Sequence, residues 1–220
     1  MSIKGSYTLK PRKGLLSQIV KTLRYNYQLG GWVNKIGLRN KGIDYGLKQY
    51  NPRTDIISIA ILKHSEIKDF LEKIPDDTNI EINVSCPNTD KKMINYDLHY
   101  FLNNKRKWCI IKLSQTIDLK LVDSYYKQGF RQFHCSNTIP VKNGGLSGSN
   151  IIPYNVKLIS HIRKTYKDTT IIAGGGIHSY DTLLFYKDLG SKHFSISTIF
   201  FSPIKTYSFF FKYYKNKHII

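Results

Sequence analysis

The chain is poor in cysteine, with three in 220 residues, and their positions exclude the commonest structural uses of thiols. Cys86, Cys109 and Cys135 form no CxxC pair and no Cys/His spacing suited to zinc, and an odd number gives no disulfide framework. A reducing compartment follows. Acidic residues are scarce as well: 15 Asp and Glu stand against 34 Lys and Arg, a formal net charge of +19. That balance raises nucleic acid or an anionic membrane as partner. The lysines, however, are spread through nearly every segment, with only short clusters such as Lys105-Arg106-Lys107. A solvated basic surface with adventitious polyanion binding is the reading, not a specific nucleic-acid site. No apolar run reaches the ~20 residues of a membrane span, and the N-terminal MSIKGSYTLKPRKG has no apolar signal core. A cytoplasmic protein without a membrane partner is expected. Pro, Ser and Gly never accumulate into a linker and no internal repeat is evident, so a single domain over residues 1–220 is expected.

What the chain does contain is a recurrent strand-then-helix order. Strands are predicted at Ile3–Thr8, Asp55–Leu62, Asn79–Val84, Trp108–Leu113, Gln132–Cys135, Thr169–Ala173 and His193–Ser197. Several are near-continuous apolar runs, as in parallel strands covered on both faces. Amphipathic stretches at Glu66–Ile74, Asp118–Lys127, Pro153–Tyr166 and Tyr180–Leu189 have the length of crossover helices. The alternation predicts an α/β fold of the (β/α)8 TIM-barrel type, with about seven strands where a closed barrel has eight.

In such barrels chemistry gathers where strands end. The segment Glu81-Ile82-Asn83-Val84-Ser85-Cys86-Pro87-Asn88-Thr89 runs an alternating strand into a cysteine held between asparagines and a proline. Pro87 favours extended backbone before it, which places Cys86 just past a strand end; a buried cysteine at a turn is the alternative. Lys112 interrupts the apolar run Ile110-Ile111-Lys112-Leu113 and needs a counter-charge or hydrogen-bond partners, for which a cofactor qualifies; a strand-end lysine reaching solvent is the plainer reading. The later strands end in Ser136-Asn137-Thr138, Gly174-Gly175-Gly176-Ile177 and Ser197-Thr198, with Gly144 through Gly148 between. Glycines let backbone N–H groups approach an anion, and the loops after the last two strands of such barrels often hold phosphate. A glycine run alone equally marks a tight turn. The loop Gly30 to Gly42 combines glycines with Asn34 and Asn40, whose amides suit a carboxylate and a cyclic imide.

Taken together these residues resemble the dihydroorotate dehydrogenases, FMN enzymes of pyrimidine (UMP) biosynthesis built on a (β/α)-barrel. The resemblance covers nearly the whole chain and rests on Gly5 through Arg12 with Gly14, Asn34 through Gly42, Asn83 through Thr89, Lys112-Leu113, Asn137-Thr138, Gly144 through Gly148, Gly174 through Ile177 and Ser197-Thr198. It implies that Cys86 is the general base taking a proton from C5 of dihydroorotate while hydride passes from C6 to FMN, as in the soluble, cysteine-base branch. It assigns FMN to Asn83, Lys112, Ser136, Gly148, Gly175, Gly176, Ser197 and Thr198. It assigns the substrate, dihydroorotate or its product orotate, to Asn34, Ile36, Gly37, Leu38, Asn83, Asn88, Asn137 and Thr138. No metal is implied.

Three positions depart from the family's pattern. The family's usual first strand has no counterpart, so the barrel is expected to be incomplete at its N-terminus, and a homodimer or a partner subunit is one way to complete it. Gly5 holds the place of a flavin-contacting lysine, with Lys4 displaced by one. Ser197-Thr198 replaces a Gly-Thr phosphate loop. Two other classes stay open: a non-enzymatic, truncated homologue serving as a binding protein, and a flavin dehydrogenase of another pyrimidine.

Overall fold

The computed structural model describes residues 1–84 and 97–216. In chain order the elements are β1 (Ser2–Tyr7), α1 (Leu15–Thr22), β2 (Arg24–Asn26), β3 (Gly31–Asn34), α2 (Ile43–Lys48), β4 (Asp55–Ile59), α3 (Glu66–Lys73), β5 (Ile80–Asn83) and β6 (Cys109–Leu113). Then follow α4 (Leu119–Lys127), β7 (Gln132–Cys135), β8 (Ile139–Val141), β9 (Gly144–Ser147), α5 (Ile152–Thr165), β10 (Thr170–Gly174), α6 (Tyr180–Asp188), β11 (His193–Ser195) and α7 (Pro203–Lys215). All seven predicted strands form, as β1, β4, β5, β6, β7, β10 and β11, and the four predicted helices form as α3, α4, α5 and α6. The fold class is the α/β, TIM-barrel type expected from the alternation. The chain resolves into two compact units.

The first unit comprises residues 1–21, 36–113 and 117–132. Its strands lie in the order β1-β4-β5-β6. Neighbours are parallel, with Lys4 opposite Ile57, Ile57 opposite Ile80 and Ile80 opposite Cys109. Every residue of β4 is buried, and Ile80, Ile82, Ile110 and Ile111 have at most 1% of their surface exposed. Such strands gain stability from both faces, about 1.5–3 kcal/mol for each fully buried aliphatic side chain. Helix α4 starts where Asp118 accepts a hydrogen bond from the Lys120 N–H (3.0 Å), the N-cap that its sequence offers. Lys4, displaced from the family's flavin lysine, instead binds the buried Asp55 carboxylate at 2.7 Å and the Gln49 carbonyl at 2.9 Å.

The second unit comprises residues 22–35, 114–116 and 133–220, of which the structure describes those up to 216. Strands β7, β10 and β11 follow one another, and β10 and β11 are parallel, with Ala173 opposite Phe194. A separate antiparallel sheet, β2-β3-β9-β8, packs Val33, Leu146 and Ile151 into a small core. Helix α6 is capped by Ser179, whose hydroxyl accepts from the Thr182 N–H at 3.1 Å. Helix α5 begins one residue before Pro153, which sits where a missing N–H costs nothing.

Candidate functional site

In the second unit β10 ends at Gly174 and the chain turns through Gly175 and Gly176, at φ of 77° and 76°. These left-handed values favour glycine, and packing demands it independently. A Cβ on Gly175 would stand 2.6 Å from Ile151 Cδ1, and one on Gly176 2.5 Å from Ile152 Cγ1. The turn is held from behind by Asn155 of α5, which is fully buried. Its Nδ2 donates to Gly174 O (2.5 Å) and Gly175 O (3.3 Å) and lies 3.0 Å from the Tyr186 hydroxyl oxygen. The Tyr186 hydroxyl donates to Gly175 O at 3.0 Å; burial pushes its pKa up to about 12, so it keeps the proton that it donates.

These glycines line a cavity of about 200 Å³. Gly148, Gly175, Gly176, Ser197 and Thr198, all expected to hold flavin, border it, together with Trp32, Ser149, His178, Ser202 and Lys205. Gly148 reaches it at φ 133°. Ser197 has φ −148°, outside the left-handed region that favours glycine. Among the described lining residues there is no Asp or Glu. Ser136, the other position of this unit expected to hold flavin, is not part of this lining; it packs against Gly174, where a Cβ would meet the Ser136 side chain at 2.7 Å. The His178 ring lies 2.7 Å through Nδ1 from Gly176 O; with a carbonyl as partner, Nδ1 is the donor.

The expected substrate residues of this unit gather at the antiparallel sheet. Asn34 ends β3 opposite Gly145 of β9. Gly144 and Gly145 leave no room for a Cβ beside the Asn34 carbonyl and the Thr138 side chain respectively. Asn137 Oδ1 accepts from the Thr138 N–H at 2.8 Å, and Gln115 Nε2 donates to the Asn137 carbonyl.

In the first unit a polar chain crosses four neighbouring elements. Glu81 of β5 is fully buried and lies 3.6 Å from Lys112 Nζ of β6. It accepts from the Ser58 hydroxyl at 2.8 Å; Ser58 and Ser6 hydroxyls meet at 2.9 Å, and Asn83 Nδ2 donates to Ser6 Oγ at 2.9 Å. Asn83 and Lys112, the two positions of this unit expected to hold flavin, thus share one network, and Glu81 supplies a counter-charge for Lys112. Sequence reasoning asked for that counter-charge and overlooked Glu81, although a glutamate at the centre of Ile80-Glu81-Ile82 posed the same demand. Ile36, Gly37 and Leu38 also belong to this unit. Gly37 and Leu38 are both left-handed, at φ 68° and 56°, and the Leu38 carbonyl accepts from Asn40 Nδ2 at 2.7 Å.

Cys86 and Asn88 lie outside the described residues. The other two thiols are buried. Burial pushes the Cys109 pKa up to about 11 against the opposing pull of Arg106, and pushes Cys135 higher still. Neither ionises near neutral pH.

No family model matches the chain. Curated proteins do. It is 27% identical over 224 residues to the dihydroorotate dehydrogenase B (NAD(+)) catalytic subunit of Petrotoga mobilis, covering 87% of this chain and 73% of that protein. The protein of the same name from Lachnoclostridium phytofermentans is 24% identical, over 80% of this chain and 70% of its own length. Among solved structures, Eimeria tenella dihydroorotate dehydrogenase in complex with ferulenol superposes with a TM-score of 0.72 at 16% identity, covering 93% of this chain and 71% of that one.

Proposed function

We propose that this homologue of the dihydroorotate dehydrogenases is itself an FMN-dependent enzyme that oxidises dihydroorotate to orotate in cytoplasmic pyrimidine biosynthesis. The observation that carries the reading is the cavity of the second unit. Five positions assigned to flavin by resemblance, Gly148, Gly175, Gly176, Ser197 and Thr198, come from three separate loops and border one space with no carboxylate among its described lining residues. Backbone N–H groups and hydroxyls in that setting fit the phosphate end of FMN. The resemblance assigns Asn83, Lys112 and Ser136 to the cofactor as well. Bound there, FMN supplies a hydride acceptor.

The chain's own residues supply the remainder. Cys86 is the general base: its thiolate takes the C5 proton of dihydroorotate as the C6–H bond gives up hydride, leaving the C5–C6 double bond of orotate. Burial holds Cys109 and Cys135 protonated near neutral pH, so neither competes with Cys86 for the role of base. By the same resemblance, the amides of Asn34, Asn83, Asn88 and Asn137, the Thr138 hydroxyl and Ile36, Gly37 and Leu38 are the residues proposed to take the ring and carboxylate of the substrate. Lys112, which lies beside Glu81, would offer a positive charge to the flavin. The curated relatives are named as NAD(+)-type catalytic subunits, which favours a partner subunit for re-oxidation.

The test is the visible spectrum of the purified chain, loaded with FMN, before and after anaerobic dihydroorotate. Bleaching of the flavin band is expected, and Cys86→Ala should keep the flavin and lose the bleaching. A bound flavin that stays oxidised would transfer the reading to another substrate. Failure to retain flavin would favour the non-enzymatic homologue.

A further inference from the structure

We propose that Lys205 is the counter-charge for a phosphomonoester dianion in the cavity of the second unit, so that this site selects phosphorylated ligands over their dephosphorylated forms. The inference deepens the flavin reading and rests on it for the identity of the ligand. Its observations are separate from the glycines, whose absence of side chain is already required by Ile151 and Ile152.

The first observation is charge. Lys205 is the one lysine or arginine among the described residues lining the cavity, and no carboxylate lines it. The second is the position of that lysine on α7. It is the third residue of a 13-residue helix whose first turn has no acidic side chain. The N-terminal end of a helix carries partial positive charge and disfavours a cation there. Helix stability therefore gives no reason for lysine at this place, whereas an anion in the cavity would be attracted by both the ammonium and the helix end. The third is the set of hydroxyls. Ser197, Thr198 and Ser202 border the same space, and a phosphomonoester above its second pKa of ~6 presents three strong acceptor oxygens to such donors. Lys205 is exposed as well as lining the cavity, so its ammonium can reach the anion from the solvent side.

The experiment measures Kd for FMN and for riboflavin, by flavin fluorescence, in the full-length chain and in its Lys205→Met and Lys205→Arg variants. Because Lys205 is exposed, both variants should fold, and circular dichroism checks this. Lys205→Met should weaken FMN about tenfold, equivalent to about 1.4 kcal/mol, leave riboflavin unchanged, and flatten the salt dependence of FMN binding. Lys205→Arg should retain most of the FMN affinity. An unchanged ratio of FMN to riboflavin affinity in Lys205→Met would overturn the role of Lys205 while leaving the flavin reading standing. If the wild-type chain binds neither flavin, that reading fails by itself, and inorganic phosphate titrated against Trp32 fluorescence decides the anion site. A saturable response lost in Lys205→Met sustains the proposal, and no response in the wild type defeats it.

Discussion

A thiol buried among apolar neighbours loses the solvation that would stabilise its anion, and Cys109 and Cys135 both suffer that loss. The folded protein should therefore take up one equivalent of iodoacetamide at pH 7.5, on Cys86, and none in Cys86→Ala. Peptide mapping checks this, and label on Cys109 or Cys135 in the native state would contradict it. At this scale much of the candidate site was legible, because the residue types at strand ends state their own needs. Lys112 on an apolar strand required a partner, and Glu81 supplies one. That Gly148, Gly175, Gly176, Ser197 and Thr198 come together at one cavity was legible from glycine and hydroxyl pairs at the strand ends. Lys205 and His178 were not, since one lysine among many bears no mark until the fold brings it to a cavity.

At the scale of elements, β1 is tied to β4 by the pair Lys4 and Asp55. Burial alone would push the Asp55 carboxyl up, but hydrogen bonds from Lys4, the Asn51 N–H and Thr54 together outweigh it and hold its pKa below the usual carboxylate value. A depressed folded-state pKa contributes stability that is complete above the unfolded value of ~3.9 and is lost as pH falls through the folded value. Asp55→Asn should thus cost about 1–2 kcal/mol at pH 7 in urea unfolding, with the deficit shrinking as pH drops below ~4. A deficit that stays constant down to pH 2 would show that the pair's charge is irrelevant.

The strands and helices of the α/β alternation were readable because their periods are local: β4 and β6 are apolar runs, and α3 and α4 are amphipathic. The antiparallel sheet was not. Its strands are three or four residues long, β8 contains Pro140 and β9 opens on Gly144-Gly145, so only pairing between distant segments makes them strands. Helix α7 escaped because aromatic residues occupy most of its faces and blur the 3.6-residue period, although Ser202-Pro203 is a helix-start signal that was available.

For the molecule as a whole, the charge of +19 acts at long range and without regard to sequence. Heparin and unrelated DNA duplexes should bind it with similar affinity, and the binding should fall steeply between 50 and 300 mM salt, by about three orders of magnitude or more if six or more phosphates are engaged. A filter-binding series with several duplexes checks this; a preferred sequence would revive a nucleic-acid function. Among the described residues no helix is long and apolar enough to cross a membrane. The hub at Asn155 has a kinetic meaning of its own. Because a buried amide and the Tyr186 hydroxyl fix the glycine turn from the interior, the walls of the cavity have their shape before anything arrives. A ligand entering there meets a finished mould: its capture is a single diffusive encounter, with a rate that rises in proportion to its concentration and no plateau set by a slow rearrangement of the turn.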